Sequence, residues 1–150
     1  MKKISIIALC FLLIDQSIKI LVNNIFSFGQ SLAIIPSFFS ITLLKNTGAA
    51  FSILRSSTLF LILISVVALI LIYLFFIKNK GLTNTDKWLY GMLIGGVLGN
   101  LFDRIFYGYV IDYLDFNIFN FPVFNFADVL IVISIILIII NMIRREEHGV

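Results

Sequence analysis

Leu59 to Ile77 reads LFLILISVVALILIYLFFI, with no charged residue anywhere in it. A helix rising about 1.5 Å per residue needs about 20 apolar residues to cross a hydrocarbon core of ~30 Å, so this stretch is long enough to span a membrane. The rest of the chain has the same character. Of its 150 residues, 61% are hydrophobic and 13% charged, with a mean hydropathy of +1.11, whereas a soluble domain carries about 25% charged residues. Such a composition specifies an integral membrane protein.

Working outward from that run, one further span precedes it and two follow. The first covers about Ile4 to Val22 and is interrupted by Asp15 and Lys19; another covers about Trp88 to Tyr107 with Asp103 and Arg104 near its end; the last covers about Phe126 to Ile143 with Asp128 near its start. Spans of about 20 residues use up most of the chain, so residues 1–150 are read as a single integral membrane domain, an all-α four-helix transmembrane bundle. Orientation follows from the basic residues. Lys2 and Lys3, then Lys78, Lys80 and Lys87, then Arg144 and Arg145 flank one side, while the opposite loops hold only Lys45 and Arg55. The positive-inside rule therefore puts both termini in the cytoplasm.

The outer connection from about Asn23 to Thr58 is too long for a simple turn. Ser40-Ile41-Thr42-Leu43 alternates polar and apolar, with Pro36 and Gly48 as punctuation, which predicts a small β-rich cradle on the outer membrane surface. The other outer connection, about Gly108 to Asn125, carries Asp112 and Asp115 and is closed by Pro122.

Four of the eight acidic residues, Asp103, Asp112, Asp115 and Asp128, fall in one short stretch of an otherwise apolar sequence. An ionised carboxylate out of water costs several kcal/mol, so acids at the edge of apolar spans point to chemistry. By helical rise, Asp15 lies ~16 Å and Asp103 ~21 Å from the inner ends of their spans, while Asp128 starts the last span from outside. The buried ionisable groups are thus expected to converge on the outer third of the membrane. Asp15 and Lys19, spaced i, i+4, are expected to form a structural ion pair, the alternative being that Lys19 reaches the outer interface toward an anionic headgroup. Gly95, Gly96 and Gly99 predict close helix packing. Asn100, Asp103 and Arg104 form one polar stripe, with Asp103 and Arg104 as a candidate compensated pair. In Asn46-Thr47-Gly48-Ala49-Ala50-Phe51 the small residues suit a backbone lying close to a substrate chain.

Asp112 and Asp128 remain, with Asn125 one helical turn before the latter. Two carboxylates brought together cannot both ionise easily, so such a pair holds one proton and suits peptide hydrolysis. Acids inside membranes also serve as proton relays, so the carboxylate pattern alone leaves an enzyme and a proton-coupled transporter using Asp15, Asp103 and Asp128 level. Other chemistries are poorly supported. One cysteine, Cys10, and one histidine, His148 in the polar tail, leave no basis for a thiol nucleophile, a histidine triad or a zinc site, and no metal or cofactor is expected. The apolar stretch before Cys10 is too short for a signal peptide, and Leu9 is bulky where a small residue belongs. No basic, aromatic-interleaved face suits nucleic acid.

The blocks Asp15-Gln16-Ser17-Ile18-Lys19, Asn46 to Phe51, Gly95 to Arg104, Gly108 to Phe116 and Phe124 to Asp128, in that order, resemble the bacterial lipoprotein signal peptidases, also called signal peptidase II. The resemblance covers nearly the whole chain. It implies an aspartic protease of the cytoplasmic (inner) membrane that cleaves a prolipoprotein before its diacylglyceryl-modified cysteine and is sensitive to globomycin. It implies Asp112 and Asp128 as the catalytic pair. Asn46, Asn100, Asp103, Arg104 and Asn125 match its polar residues around that pair, with Arg104 and Asn46 near the substrate or an inhibitor, while Asp115 is structural; Gly48, Asp15 and Lys19, singled out above, are expected to be supporting or substrate-binding residues beside them. The substrate and its acyl chains are lipid-soluble, which implies lateral entry from membrane lipid to a site near the outer face. Monomer is the default expectation. The chain departs from the family where Ile18 replaces a Ser or Thr and where Tyr113 and Phe121 replace other aromatics, positions expected to affect only peripheral packing. The transporter reading fits less well, since the inner halves of the spans offer no polar continuation.

Overall fold

A computed structural model describes residues 1–48, 58–78, 81–118 and 121–147. Ala49, Ala50, Phe51, Arg55, Lys80 and His148, weighed above, lie outside the described residues. The described chain runs α1 (Lys2–Ile25), β1 (Ser31–Ile35), β2 (Phe39–Asn46), α2 (Thr58–Lys78), α3 (Asn84–Phe106), β3 (Val110–Phe116) and α4 (Phe126–Glu147). Three of these helices, α1, α2 and α4, are long and apolar enough to cross a membrane. Their large apolar side chains face outward along the helices, as with Leu13, Leu63, Leu71 and Ile136, which suits lipid rather than water.

α3 is the polar, glycine-rich exception, and it packs against all three other helices. Gly91, Gly95 and Gly99 recur every four residues and form a flat strip against α1. A Cβ at Gly95 would lie 2.7 Å from Phe11 Cβ and 2.9 Å from the Ala8 carbonyl oxygen. Gly96 points the other way, where a Cβ would lie 2.7 Å from the Ala127 carbonyl oxygen of α4. The small residues thus let one helix approach two neighbours at backbone distance. At its start Thr83 and Asp86 form a capping box, and Asp86 also accepts from Arg145 at 2.7 Å and Asn141 at 2.8 Å. Buried ionisable groups therefore do not all gather at one end of the bundle: Asp86 is buried at the opposite end from Asp103 because Arg145 and Asn141 satisfy it there.

The sheet has the antiparallel order β1-β2-β3. It differs from the cradle expected between Asn23 and Thr58, because its third strand comes from the later connection. β3 was hidden in sequence by its burial: Val110, Ile111, Asp112 and Tyr113 are buried in succession, which removes the alternation that marks a half-exposed strand. Gly108, at φ +78°, ends α3 in the left-handed region and turns the chain straight into this strand. In β2, Leu44 pairs with Asp112 and Asn46 with Val110, so Asn46 is the diagonal neighbour of Asp112 on one face.

Candidate active site

Asp112 projects from β3 and is 2% exposed. Its Oδ2 accepts from Asn46 Nδ2 at 2.8 Å and its Oδ1 from Asn125 Nδ2 at 2.6 Å. Asp128 sits in the first turn of α4, where its Oδ1 accepts from Asn100 Nδ2 at 2.7 Å and its Oδ2 from the Asn125 backbone N–H at 3.1 Å. The Asp128 N–H in turn donates to Asn125 Oδ1 at 3.0 Å, a reciprocal cap at the start of the helix. Asn125 therefore touches both aspartates. Sixteen residues apart in sequence, the two carboxylates share Asn125 because α4 begins where β3 passes.

The sense of each amide is fixed by a partner that can only donate. Asn46 Oδ1 takes the Gly48 N–H at 2.9 Å, Asn125 Oδ1 takes the Asp128 N–H, and Asn100 Oδ1 takes the Lys19 ammonium at 3.2 Å. Each NH₂ group is thereby turned toward a carboxylate. Among the described residues, no buried side-chain nitrogen or oxygen lacks a hydrogen-bond partner. Burial and the negative charge of Asp128 push the Asp112 carboxyl up to about 7, against the pull of the Asn46 and Asn125 amides. Asp112 thus changes charge near neutral pH, with Asp128 opposing its ionisation.

Beneath this pair lies a second cluster. Lys19, 1% exposed, contacts Asp15 and Asp103 at 2.8 Å each. Gln16 Nε2 donates to Asp103 Oδ1 at 2.9 Å and to Asp15 Oδ2 at 3.2 Å. The Ile111 N–H reaches Asp103 Oδ2 at 3.1 Å and the Ala127 N–H reaches Asp15 Oδ1 at 3.0 Å. Through these contacts the cluster holds both β3 and α4 in place.

Several residues sit differently from the expectations above. Asp103 takes Lys19 rather than Arg104, because consecutive residues on a helix point about 100° apart. Arg104 lies instead over the Asn100 carbonyl at 3.4 Å, close enough to Asp128 and Asp112 to feel their charge. Lys19 is buried with its acids and does not reach an outer interface. Asp115 lies apart from the pair, accepting from Thr42 at 2.7 Å across the sheet. Tyr113 is far from peripheral: it is 4% exposed and its hydroxyl accepts from the Phe126 N–H at 3.2 Å. Gln16 was given no role in sequence and Tyr113 only a peripheral one, since a lone amide and a strand aromatic are common packing residues.

Residues 7–144 match the family profile described as Signal peptidase (SPase) II. The Lipoprotein signal peptidase of Halothermothrix orenii is 41% identical over 146 residues, covering 96% of this chain and 97% of that protein. The Lipoprotein signal peptidase of Clostridium tetani is 38% identical, covering 95% and 94%. A solved bacterial membrane enzyme superposes with a TM-score of 0.89 at 34% identity, covering 99% of this chain and 92% of that one, and a second superposes at 0.83 with 35% identity, covering 95% and 93%. With three apolar helices of membrane-crossing length and this likeness throughout, the chain is an integral membrane protein that belongs to the signal peptidase II family.

Proposed function

We propose that the chain is an aspartic endopeptidase that removes the signal peptide of prolipoproteins, cutting immediately before the diacylglyceryl-modified cysteine with Asp112 and Asp128 as the catalytic pair. The observation that carries this reading is Asn125, whose side chain and backbone N–H bridge the two carboxylates. Two buried acids that oppose each other's ionisation in this way retain one proton between them. The ionised member takes a proton from water, and the resulting oxygen nucleophile attacks the scissile carbonyl carbon. The protonated member donates a hydrogen bond to the carbonyl oxygen and then its proton as the tetrahedral intermediate forms. Collapse expels the amine of the new N-terminus, which takes a proton from the acid that had removed one from water, while the other acid takes back a proton from a hydroxyl of the intermediate as that oxygen becomes the carbonyl of the new carboxyl group. The pair thereby returns to its starting state.

In this proposal α3 crosses the membrane with α1, α2 and α4 as a four-helix transmembrane bundle in the bacterial inner membrane. Both termini lie in the cytoplasm, and the three-stranded sheet and the aspartate pair lie at the outer face. The substrate's acyl chains and signal helix then approach from membrane lipid, and Arg104, Asn46 and Gly48 stand near their path. The protein acts as a monomer and is blocked by globomycin. A proton relay across the bundle is disfavoured by α3 itself, which has no charged residue between Lys87 and Asp103, a rise of ~24 Å. The test uses purified protein in proteoliposomes with a diacylglyceryl-modified prolipoprotein. Wild type is expected to cleave and to be inhibited by globomycin, while folded Asp112→Asn and Asp128→Asn lose activity by at least about a thousandfold. Full cleavage by both variants would sink the assignment.

A further inference from the structure

The first turn of α4 carries Asp128, and the four backbone N–H groups at this end are all taken by side chains. Asn125 N–H donates to Asp128 Oδ2 at 3.1 Å, Phe126 N–H to the Tyr113 hydroxyl at 3.2 Å, Ala127 N–H to Asp15 Oδ1 at 3.0 Å, and Asp128 N–H to Asn125 Oδ1 at 3.0 Å. A helix start normally leaves such donors for water or an anion. Here each is committed, so the first turn is fixed in position rather than offered to a ligand.

Tyr113 differs from the other three partners in where it comes from. It follows Asp112 on β3, so adjacent residues of one strand supply an aspartate of the pair and the tether of the helix that carries the other. Side chains alternate along a strand, which puts Asp112 and Tyr113 on opposite faces. Asp112 holds the Asn125 side chain from one face, and Tyr113 reaches the next residue, Phe126, from the other. The backbone joins the same strand to the chain just before the helix, with Tyr113 N–H and Leu114 N–H donating to the Phe124 carbonyl at 3.0 and 2.8 Å. Those bonds fix residue 124. Among the described residues, only the phenol extends the attachment from β3 to a backbone group of the helix itself.

We propose that Tyr113 is a positioning residue for peptide cleavage, its hydroxyl setting the spacing of Asp112 and Asp128 by holding the first turn of α4 against β3. This rests on the reading of those aspartates as the working pair. Tyr113→Phe removes the hydroxyl and keeps the ring, and it is assayed in proteoliposomes with the diacylglyceryl-modified prolipoprotein beside Asp112→Asn and Asp128→Asn. The expected result is a KM within about twofold of wild type and a kcat lower by on the order of tenfold, with faster amide exchange at Phe126. An unchanged kcat in Tyr113→Phe, whatever its melting temperature, overturns the proposal; so does a raised KM at unchanged kcat, which would mark a substrate contact. Should Tyr113→Phe fail to fold, a ring-fluorinated tyrosine at position 113 weakens the acceptor oxygen without removing it. Its kcat must fall in the same direction, and an unchanged value is equally fatal. If both asparagine variants cleave at full rate, the dyad reading fails and the proposal with it. If they are inactive while Tyr113→Phe is fully active, only the role of Tyr113 falls.

Discussion

Asp112 concentrates the electrostatics of the site in one residue. Its folded value of about 7 lies above the ordinary 3.8, raised first by burial and then by Asp128. Ionising it therefore costs the folded state, a penalty absent below pH 3.8 and complete above about 7. For the proposed cleavage the same sign means that the pair loses its last proton as pH rises through that value. A profile of kcat/KM against pH is expected to fall on its alkaline side near neutrality, the apparent value belonging to the coupled pair. Asn46 donates to the ionised carboxylate, so Asn46→Ala should move that limb to higher pH as well as slow the reaction. A limb that stays in place would separate Asn46 from the titrating group. The sequence singled out Asn46, Asn100 and Asn125 as polar residues near the acids. It could not give the sense of Asn100, because that amide's orientation depends on Lys19, which arrives from another helix, whereas Asn46 and Asn125 are oriented by backbone N–H groups two and three residues on.

At the scale of elements, α3 is the post on which the site is mounted. Its glycines are not equivalent, although all lie on helical spacing. A Cβ at Gly91 would meet Ile7, 2.5 Å from its Cγ2 and 2.7 Å from its Cβ, whereas one at Gly99 would lie 2.5 Å from Asp15 Oδ2. Relieving the first clash moves α1 at Ile7, an apolar contact away from the aspartates, whereas Asp15 is bonded to Lys19 and to the Ala127 N–H of α4. Both Gly91→Ala and Gly99→Ala should destabilise the protein by about 1–3 kcal/mol through overpacking. Only Gly99→Ala should also depress cleavage well beyond its loss of melting temperature, because displacing Asp15 frees the first turn of α4. Equal activity in the two variants would disconnect the Asp15 cluster from the proposed catalytic pair. The Gly95-Gly96-Gly99 spacing announced close packing. Which glycine faced α1 and which α4 required the helices to be assembled.

For the whole molecule, the charge distribution carries a prediction about orientation. In a Cys10→Ser background, an impermeant maleimide added to intact cells should label Gln30→Cys, between α1 and the sheet, and should label Lys2→Cys only after permeabilisation. The reverse pattern would invert the proposed arrangement. Sequence by itself determined that this chain belongs in a membrane, where the apolar runs lie and which carboxylates stand out, because hydropathy and charge are local properties summed along the chain. It also carried five ordered blocks that resemble the signal peptidase II family, the family whose profile matches residues 7–144. Tertiary structure alone decided that β3 completes the sheet, that Asp103 belongs to Lys19, and that Tyr113 grips the start of α4. Each of these joins residues from separate elements, and burial had erased the periodicity of β3 that would have announced it. The meeting of Asp112 with Asp128 through Asn125 is of the same kind: sequence made them candidates, and the end of one helix lying beside one strand made them neighbours.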